Sequence, residues 1–492
     1  MKLFKNDTKK YTDDTFRDQF SNSPDVHFKT IFSSTTNRPV KMLIFFAPSL
    51  VNMAELNDHI LEDLEKIIYI EEDKNKQRDD SFTNTLMDFR SIPFDGNSES
   101  LYQFIFGGEV LIFIEEKQQL YSIAVPQVPN RQPEESAFEV SVRGPRDGFI
   151  EDVSVNVALI RKRLRTSTLT VKEFIVGKRS QTKVALLYMD DIIEPSLVTT
   201  VTAKINELNI DILTSSQQLQ ELISEYTFNL FPLTDYTSRP DYCVECLNQG
   251  RFILIIDGQP TVIVAPTTLL LQVKTAEDSN LPFFYVSFER ILRIGGFFLS
   301  ILIPGFWVAL STVNIEQIPF TLLATISVSR LGLPLSATME MFLMLALFEL
   351  FRESGVRLPK AVGQTVAVVG GLIVGDAAIR AGLTSPTMLV VAAITSVASF
   401  TLVNQALTGA VTVLRFAILL LSSVLGVYGL IIGFIITTAL LSSLESFGIP
   451  YMNDFSPATL HKMVVSFLKK PWKRAGKRNE STIDQTRKGG QT

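Results

Sequence analysis

The stretch that most constrains this chain runs from Ile291 to Leu444, where several long apolar runs follow one another and the sequence before it has none of comparable length. One segment within it stands apart: Ala361–Ile379, AVGQTVAVVGGLIVGDAAI. Its length matches the ~20 residues that a helix needs to cross the hydrocarbon core of a bilayer. A plain anchor would be built of Leu, Ile and Phe, but this segment carries Gly363, Gly370, Gly371, Gly375, Gln364, Thr365 and Asp376. On a helix, Gly363, Ala367, Gly371, Gly375 and Ala378 share one small-residue face against which another helix can pack closely. Thr365, Val369, Leu372 and Asp376 fall on roughly the opposite side, polar at both ends and apolar in the middle. This pattern points to a helix that packs through its glycines and lines a path through the membrane with the second stripe.

The flanking runs read as further spans. Ile294–Val313 follows Arg290 and Arg293, which suit an inner flank, and Asn314–Gln317 makes a short outer loop. Ile318–Phe351 is broken at Arg330–Pro334 into a short piece and a full span. That span carries Glu340 and Glu349, with Arg352, Glu353 and Arg357 just after it. Ionisable groups at membrane depth cost at least ~2.5–3.5 kcal/mol each, so they pair or face a cavity. Glu349 and Glu353 have Arg352, Arg357 and Lys360 nearby, whereas Glu340 has no obvious local partner and is a further candidate for the ion pathway. Thr387–Val403 is another span, and Val411–Leu444 is too long for one, with Gly426, Gly429 and Gly433 in its middle. The tail from Ser456 carries nine Lys and Arg against Glu480 and Asp484, so it belongs on the cytosolic side, near anionic headgroups. That requires an even number of crossings, four to six: either the piece near Thr321 crosses, or the last run bends at its glycines.

The front of the chain is a mixed, slightly acidic sequence with no continuous apolar run at its start, which predicts a domain that stays in the cytosol. Residues 1–24 read as a flexible polar lead. Val40–Ala47 reads as a buried strand, Asn52–Ile68 as an amphipathic helix and Gly108–Pro126 as a hairpin. The order returns with Val184–Met189 as a strand, Pro195–Leu208 and Ser215–Tyr226 as helices, and Gly250–Pro266 as a hairpin turning at Asp257-Gly258. The two hairpins begin at glycines 142 residues apart, Gly108 and Gly250. Two α/β subdomains of similar plan, 25–142 and 143–275, follow from this repeat. In the second, Asp152 caps a helix that ends in Arg161, Lys162, Arg163 and Arg165, a charged end that reads as solvated.

The motifs of common chemistry are missing. Cys243 and Cys246 form a lone CxxC, better read as core than as half a zinc site. There is no GxxxxGK[ST], GxSxG or HExxH, and His27, His59 and His461 are scattered. Neither catalysis, a cofactor, a metal nor nucleic-acid binding is expected.

Four blocks together, RGPRDGFIEDVSVNVALIRKRL (Arg143–Leu164), FPLTDYTSRPD (Phe231–Asp241), GRFILIIDGQPTVIVAP and RESGVRLPKAVGQTVAVVGGLIVGDAAI (Arg352–Ile379), resemble the A subunit of GerA-family spore germination receptors. The resemblance extends from about Arg143 to the last span; residues 25–142 match in plan only. It implies a subunit of the nutrient receptor in the inner membrane of the endospore, working with a transporter-like B subunit and a lipoprotein C subunit. It also implies a ring, a pentamer, whose central pore releases cations. A ring of the glycine-rich helices would give a constriction of Val369 and Leu372 and an acidic ring at Asp376. The alternative is a non-conducting scaffold that relays the partner's signal. The expected architecture is a membrane protein. It has a cytosolic α/β domain of two similar subdomains, an all-α transmembrane domain over 276–450, and a basic tail over 451–492 facing the spore core.

Overall fold

A computed structural model describes residues 11–21, 23–32, 40–53, 56, 90–92, 98–125, 141, 143–226, 228–357, 375–456 and 467–469. The chain divides into two compact units. The first comprises Met1–Ser224, Thr234–Pro266 and Arg478–Thr492, and the second Glu225–Leu233 and Thr267–Lys477.

The first unit holds two five-stranded antiparallel sheets. One is built from β1 (His27–Phe32), β2 (Lys41–Phe46), β3 (Arg90–Ile92), β4 (Glu109–Ile114) and β5 (Gln119–Ala124) in the order β1-β2-β4-β5-β3. The other uses β6 (Leu169–Val176), β7 (Thr182–Met189), β8 (Asp235–Thr237), β9 (Phe252–Ile256) and β10 (Val262–Ala265) in the order β6-β7-β9-β10-β8. The two orders are the same: a first hairpin, a second hairpin beside it, and a short edge strand added last. Strands β2, β4, β7, β9 and β10 are buried along most of their length, which explains why they read as continuous apolar runs. The half-exposed β1 and β6 were harder to see, because their apolar residues alternate with Lys, Thr and Glu.

Helix α1 (Asp13–Gln19) lies within the stretch expected to be a flexible lead, and this expectation is corrected. Phe16 and Phe20 are buried among Phe28, Phe45, Tyr102 and Phe113, and aromatic burial folds the segment down despite its charged neighbours. Helix α2 (Ser98–Ile105) packs in the same core through Leu101, Tyr102 and Ile105. Most of the helix expected over Asn52–Ile68 lies outside the described residues.

Helix α3 (Val153–Arg163) starts at Asp152, whose Oδ1 accepts from Ser154 N at 2.7 Å and Val155 N at 3.1 Å. Its basic end is solvated only in part: Lys162 and Arg165 are exposed, as the sequence suggested, but Arg161 and Arg163 turn to carboxylates. Arg161 is fully buried: Nε and Nη2 reach the two oxygens of Asp25 at 3.2 and 3.3 Å, and its guanidinium lies 4.1 Å from the Phe106 ring centre. Arg163 makes a bidentate pair with Asp147. Helices α4 (Pro195–Asn206), α5 (Ser216–Ile223) and α6 (Pro240–Asn248) complete the unit. In α6, Cys243 and Cys246 are buried and not in a disulfide; Tyr242 donates to Asp235 at 3.0 Å. Burial and the charge of Asp235 push the Tyr242 phenol well above its ordinary range.

The second unit is helical. After α7 (Leu269–Val273) come α8 (Phe283–Val308, prolonged to Val313 by a π turn), α9 (Phe320–Ser329), α10 (Ala337–Arg357), the helical residues 375–380, α11 (Pro386–Phe400), α12 (Gln405–Leu425) and α13 (Val427–Ser443). One core cluster joins Phe297 and Ile301 of α8 to Leu407 and Val411 of α12 and Leu441 of α13. The other joins Val308 of α8 to Met341 of α10, Ala378, Met388 of α11 and Leu419 of α12. Helices α8 and α12 thus run in one sense, and α11 and α13 in the other.

The last apolar run bends at Gly426, whose φ of +63° is a left-handed value open to glycine, and where a Cβ would lie 2.2 Å from Asn314 Oδ1. Asn314 Oδ1 accepts from Val427 N at 2.9 Å and starts α13. The bend brings α13 back to the end from which α8 began. Helix α9 is about 15 Å long at 1.5 Å per residue. Among the described residues, two helices, Phe283–Val313 and Gln405–Leu425, are long and apolar enough to cross a bilayer; α9, α11 and α13 are shorter apolar helices.

Candidate functional site

Of the glycine-rich segment, residues 375–380 are described; Gly363, Thr365, Val369, Gly371 and Leu372 lie outside the described residues. Gly375 is buried, and a Cβ there would sit 3.3 Å from Leu389 Cδ2 of α11; Ala378 is buried one turn on. Asp376 and Ala377 are exposed. The Asp376 carboxylate pairs with Arg380 one turn later, Oδ2 to Nε 2.8 Å, on a side of the helix where both side chains remain mostly open. Such a pair is worth only ~0–1 kcal/mol, so it leaves the carboxylate free to meet another partner.

Glu340 has two partners that the sequence did not suggest. It is fully buried; Oε1 lies 3.1 Å from Arg330 Nη2, and Oε2 accepts from Ser385 N at 3.0 Å. Arg330 ends α9, Glu340 opens α10 and Ser385 is the N-cap of α11, so one carboxylate ties three chain segments together. The α11 start was visible as Ser385-Pro386, a cap residue followed by proline at the first helical position. Nothing local in the sequence joined it to Glu340, 45 residues earlier.

Elsewhere in the bundle, Glu349 pairs with Arg352 on the next turn of α10 and faces Arg415 of α12 across 3.8 Å. Arg415 is buried and its Nη2 donates to Thr412 Oγ1 at 2.9 Å. Arg290 and Arg293, at the start of α8, close on Asp278 at 2.8 and 2.9 Å, and Thr275 Oγ1 adds a bond at 2.7 Å. Burial alone would raise the Asp278 carboxyl; the two guanidiniums outweigh it and hold the group below its ordinary value. No cluster of three or more metal-ligating side chains occurs among the described residues.

The family model described as "Bacillus/Clostridium GerA spore germination protein" matches residues 14–481. The chain is 45% identical over 407 residues to spore germination protein XA of Bacillus anthracis, covering 82% of this chain and 83% of that one. It is 31% identical over 452 residues to spore germination protein KA of Bacillus subtilis (strain 168), covering 92% and 82%. Among solved structures, the N-terminal domain of the A subunit of the Bacillus megaterium spore germinant receptor GerK3 aligns at a TM-score of 0.39. That alignment has 22% identity and covers 52% of this chain and 95% of that one. The chain belongs to the GerA family of spore germination proteins.

Proposed function

We propose that this chain is the membrane subunit of a nutrient-sensing germination receptor, and that it assembles as a ring, a pentamer, whose glycine-rich helices form a nutrient-gated cation channel. The second unit sits in the inner membrane of the spore, with the first unit and the basic tail on the core side. A transporter-like B subunit and a lipoprotein C subunit complete the receptor.

The observation that carries this reading is the surface of the second unit. Phe298, Leu299 and Phe306 of α8, Val390, Ile394 and Val397 of α11, and Val424, Ile431 and Ile435 around the α12–α13 bend are all exposed. A water-facing domain rarely leaves so many large apolar side chains uncovered, whereas lipid is a fitting solvent for them. Several helix-borne charges of the same unit are paired by contrast: Glu340 with Arg330, and Glu349 with Arg352 and Arg415. Asp376 is exposed at the end of the glycine-rich helix. In a ring it would supply repeated carboxylates, with Arg380 moderating their charge.

The test is polar substitution at the proposed constriction. Val369→Ser or Leu372→Ser should let a spore lose ions without nutrient, because a wetted constriction no longer blocks by dewetting. Full dormancy at normal protein level in both variants would refute the pore and leave the non-conducting scaffold.

A further inference from the structure

The chain connects its two units several times. It leaves the first after Ser224, contributes Glu225–Leu233 to the second, returns at Thr234, and leaves again after Pro266. The connections at Leu233–Thr234 and Pro266–Thr267 come off neighbouring strands, since Asp235 of β8 is paired with Val264 of β10. Leu233 precedes Asp235 by two residues, and Thr267 follows Val264 by three.

One side chain in the second unit holds both. Ser446, buried on the two-residue strand β11 (Glu445–Ser446) directly after α13, donates its Oγ proton to Leu233 O at 2.6 Å. The same oxygen accepts from Thr267 N at 3.1 Å. These partners are 213 and 179 residues away in sequence, so no regular secondary structure produces the arrangement. A hydroxyl can donate once and accept at its lone pairs, and Ser446 uses both roles on buried backbone groups that must be paired.

The surroundings make this point stiff. Phe231 and Leu233 lie in the core cluster that contains Phe297 of α8, Leu407 of α12, Leu441 of α13 and Tyr451. Leu269 N donates to Tyr451 O at 3.0 Å, Tyr451 N to Leu444 O at 2.9 Å, and Tyr226 OH to Ser443 O at 3.3 Å. A shift of either connection therefore presses on the end of α13 and on the ends of the helices packed there. Packed cores respond to such shifts by switching between discrete arrangements and do not deform continuously.

From this geometry we infer that the Ser446 knot is a coupling element: it passes a rearrangement of the first unit's second sheet to the end of α13, with Ser446 as its positioning residue. The inference rests on the reading that the helices gate ions. The bonds would be broken or carried along as a unit when the sheet moves, and the receptor's response depends on their being carried.

The experiment uses spores that carry the full-length chain with its receptor partners, challenged with a mixture of L-amino acids, sugars and purine nucleosides, with potassium release and chain level both measured. Ser446→Ala at normal level should slow triggered release by about tenfold, the effect of one hydrogen bond of ordinary net strength, while Ser446→Thr, which keeps the hydroxyl, restores it. The Val369→Ser leak should persist in the Ser446→Ala background, because the knot acts upstream of the constriction. Normal triggered release from Ser446→Ala spores would overturn the inference. So would failure of that variant to accumulate, which would mark a role in assembly alone, or suppression of the leak in the double variant. A Val369→Ser single variant that does not leak counts against the pore, while the comparison of the Ser446 variants still decides the knot.

Discussion

Removing the Glu340 charge tests how the second unit holds a buried ion pair. Glu340→Gln keeps the size of the side chain, and its amide oxygen can still accept from Ser385 N, now 3.0 Å from the carboxylate. What is lost is the charge-assisted bond to Arg330. Breaking a fully buried pair costs ~3–5 kcal/mol, because the remaining charge has no partner. Arg330 is 23% exposed, so its guanidinium reaches solvent in part and the cost falls to about 2–3 kcal/mol. Glu340→Ala additionally strips the buried Ser385 amide of its acceptor, adding about 1–3 kcal/mol. Thermal unfolding of the purified full-length chain should therefore rank wild type above Glu340→Gln, and Glu340→Gln above Glu340→Ala. Arg330→Met, which leaves the fully buried Glu340 carboxylate without its cation, should lie below Glu340→Gln, and the two together should cost less than the sum of the singles, because each removes the same pair. Full additivity would refute the pairing, and equal stability of the Gln and Ala variants would refute the role of Ser385.

Two further outcomes follow from backbone contact and from charge. Gly429→Ala places a Cβ 2.2 Å from Leu421 O, a backbone atom that cannot swing away, so it should destabilise by ~1–3 kcal/mol or more. Gly409→Ala, where nothing lies within 4 Å, should be stabilising by up to about 1 kcal/mol, and thermal unfolding in which both behave alike would contradict the close crossing of α12 and α13. For Asp278, the folded carboxyl lies below its ordinary value of 3.8, so it stabilises the fold above that value and the contribution is lost as pH falls through the folded value. Acid unfolding should therefore steepen below about pH 4 in the wild type and lose that part of its slope in Asp278→Asn; an unchanged slope would remove Asp278 from the account.

What could be read in advance depended on how local the cause was. The hairpins at Gly108 and Gly250 and the Asp152 cap are fixed by residues within a few positions of one another, whereas the bend at Gly426 also needs Asn314 from far along the chain. The partners of buried charges are of another kind. Arg161 finds Asp25 at a separation of 136 residues, and it looked like part of a solvated basic end because its three basic neighbours shared its stretch of helix. Glu340 seemed alone because Arg330 sits beyond a helix break and Ser385 contributes a backbone amide, which no residue type reveals. The segment Glu225–Leu233 was placed with the cytosolic subdomain because its neighbours on both sides belong there, yet Phe231 is buried among the helices. Of the proposed pore stripe, only Asp376 falls within the described residues, and its bond to Arg380 is one that i, i+4 spacing on a helix makes legible.

The central claim is that the glycine-rich helices surround a cation path. The most direct measurement is the reversal potential across a potassium chloride gradient for the Val369→Ser chain, purified at full length and reconstituted as an oligomer in a planar bilayer. A reversal potential close to the potassium equilibrium value, moving toward zero when Asp376→Asn is added, is the predicted result. Oligomers that carry no current, or that prefer chloride, would contradict it.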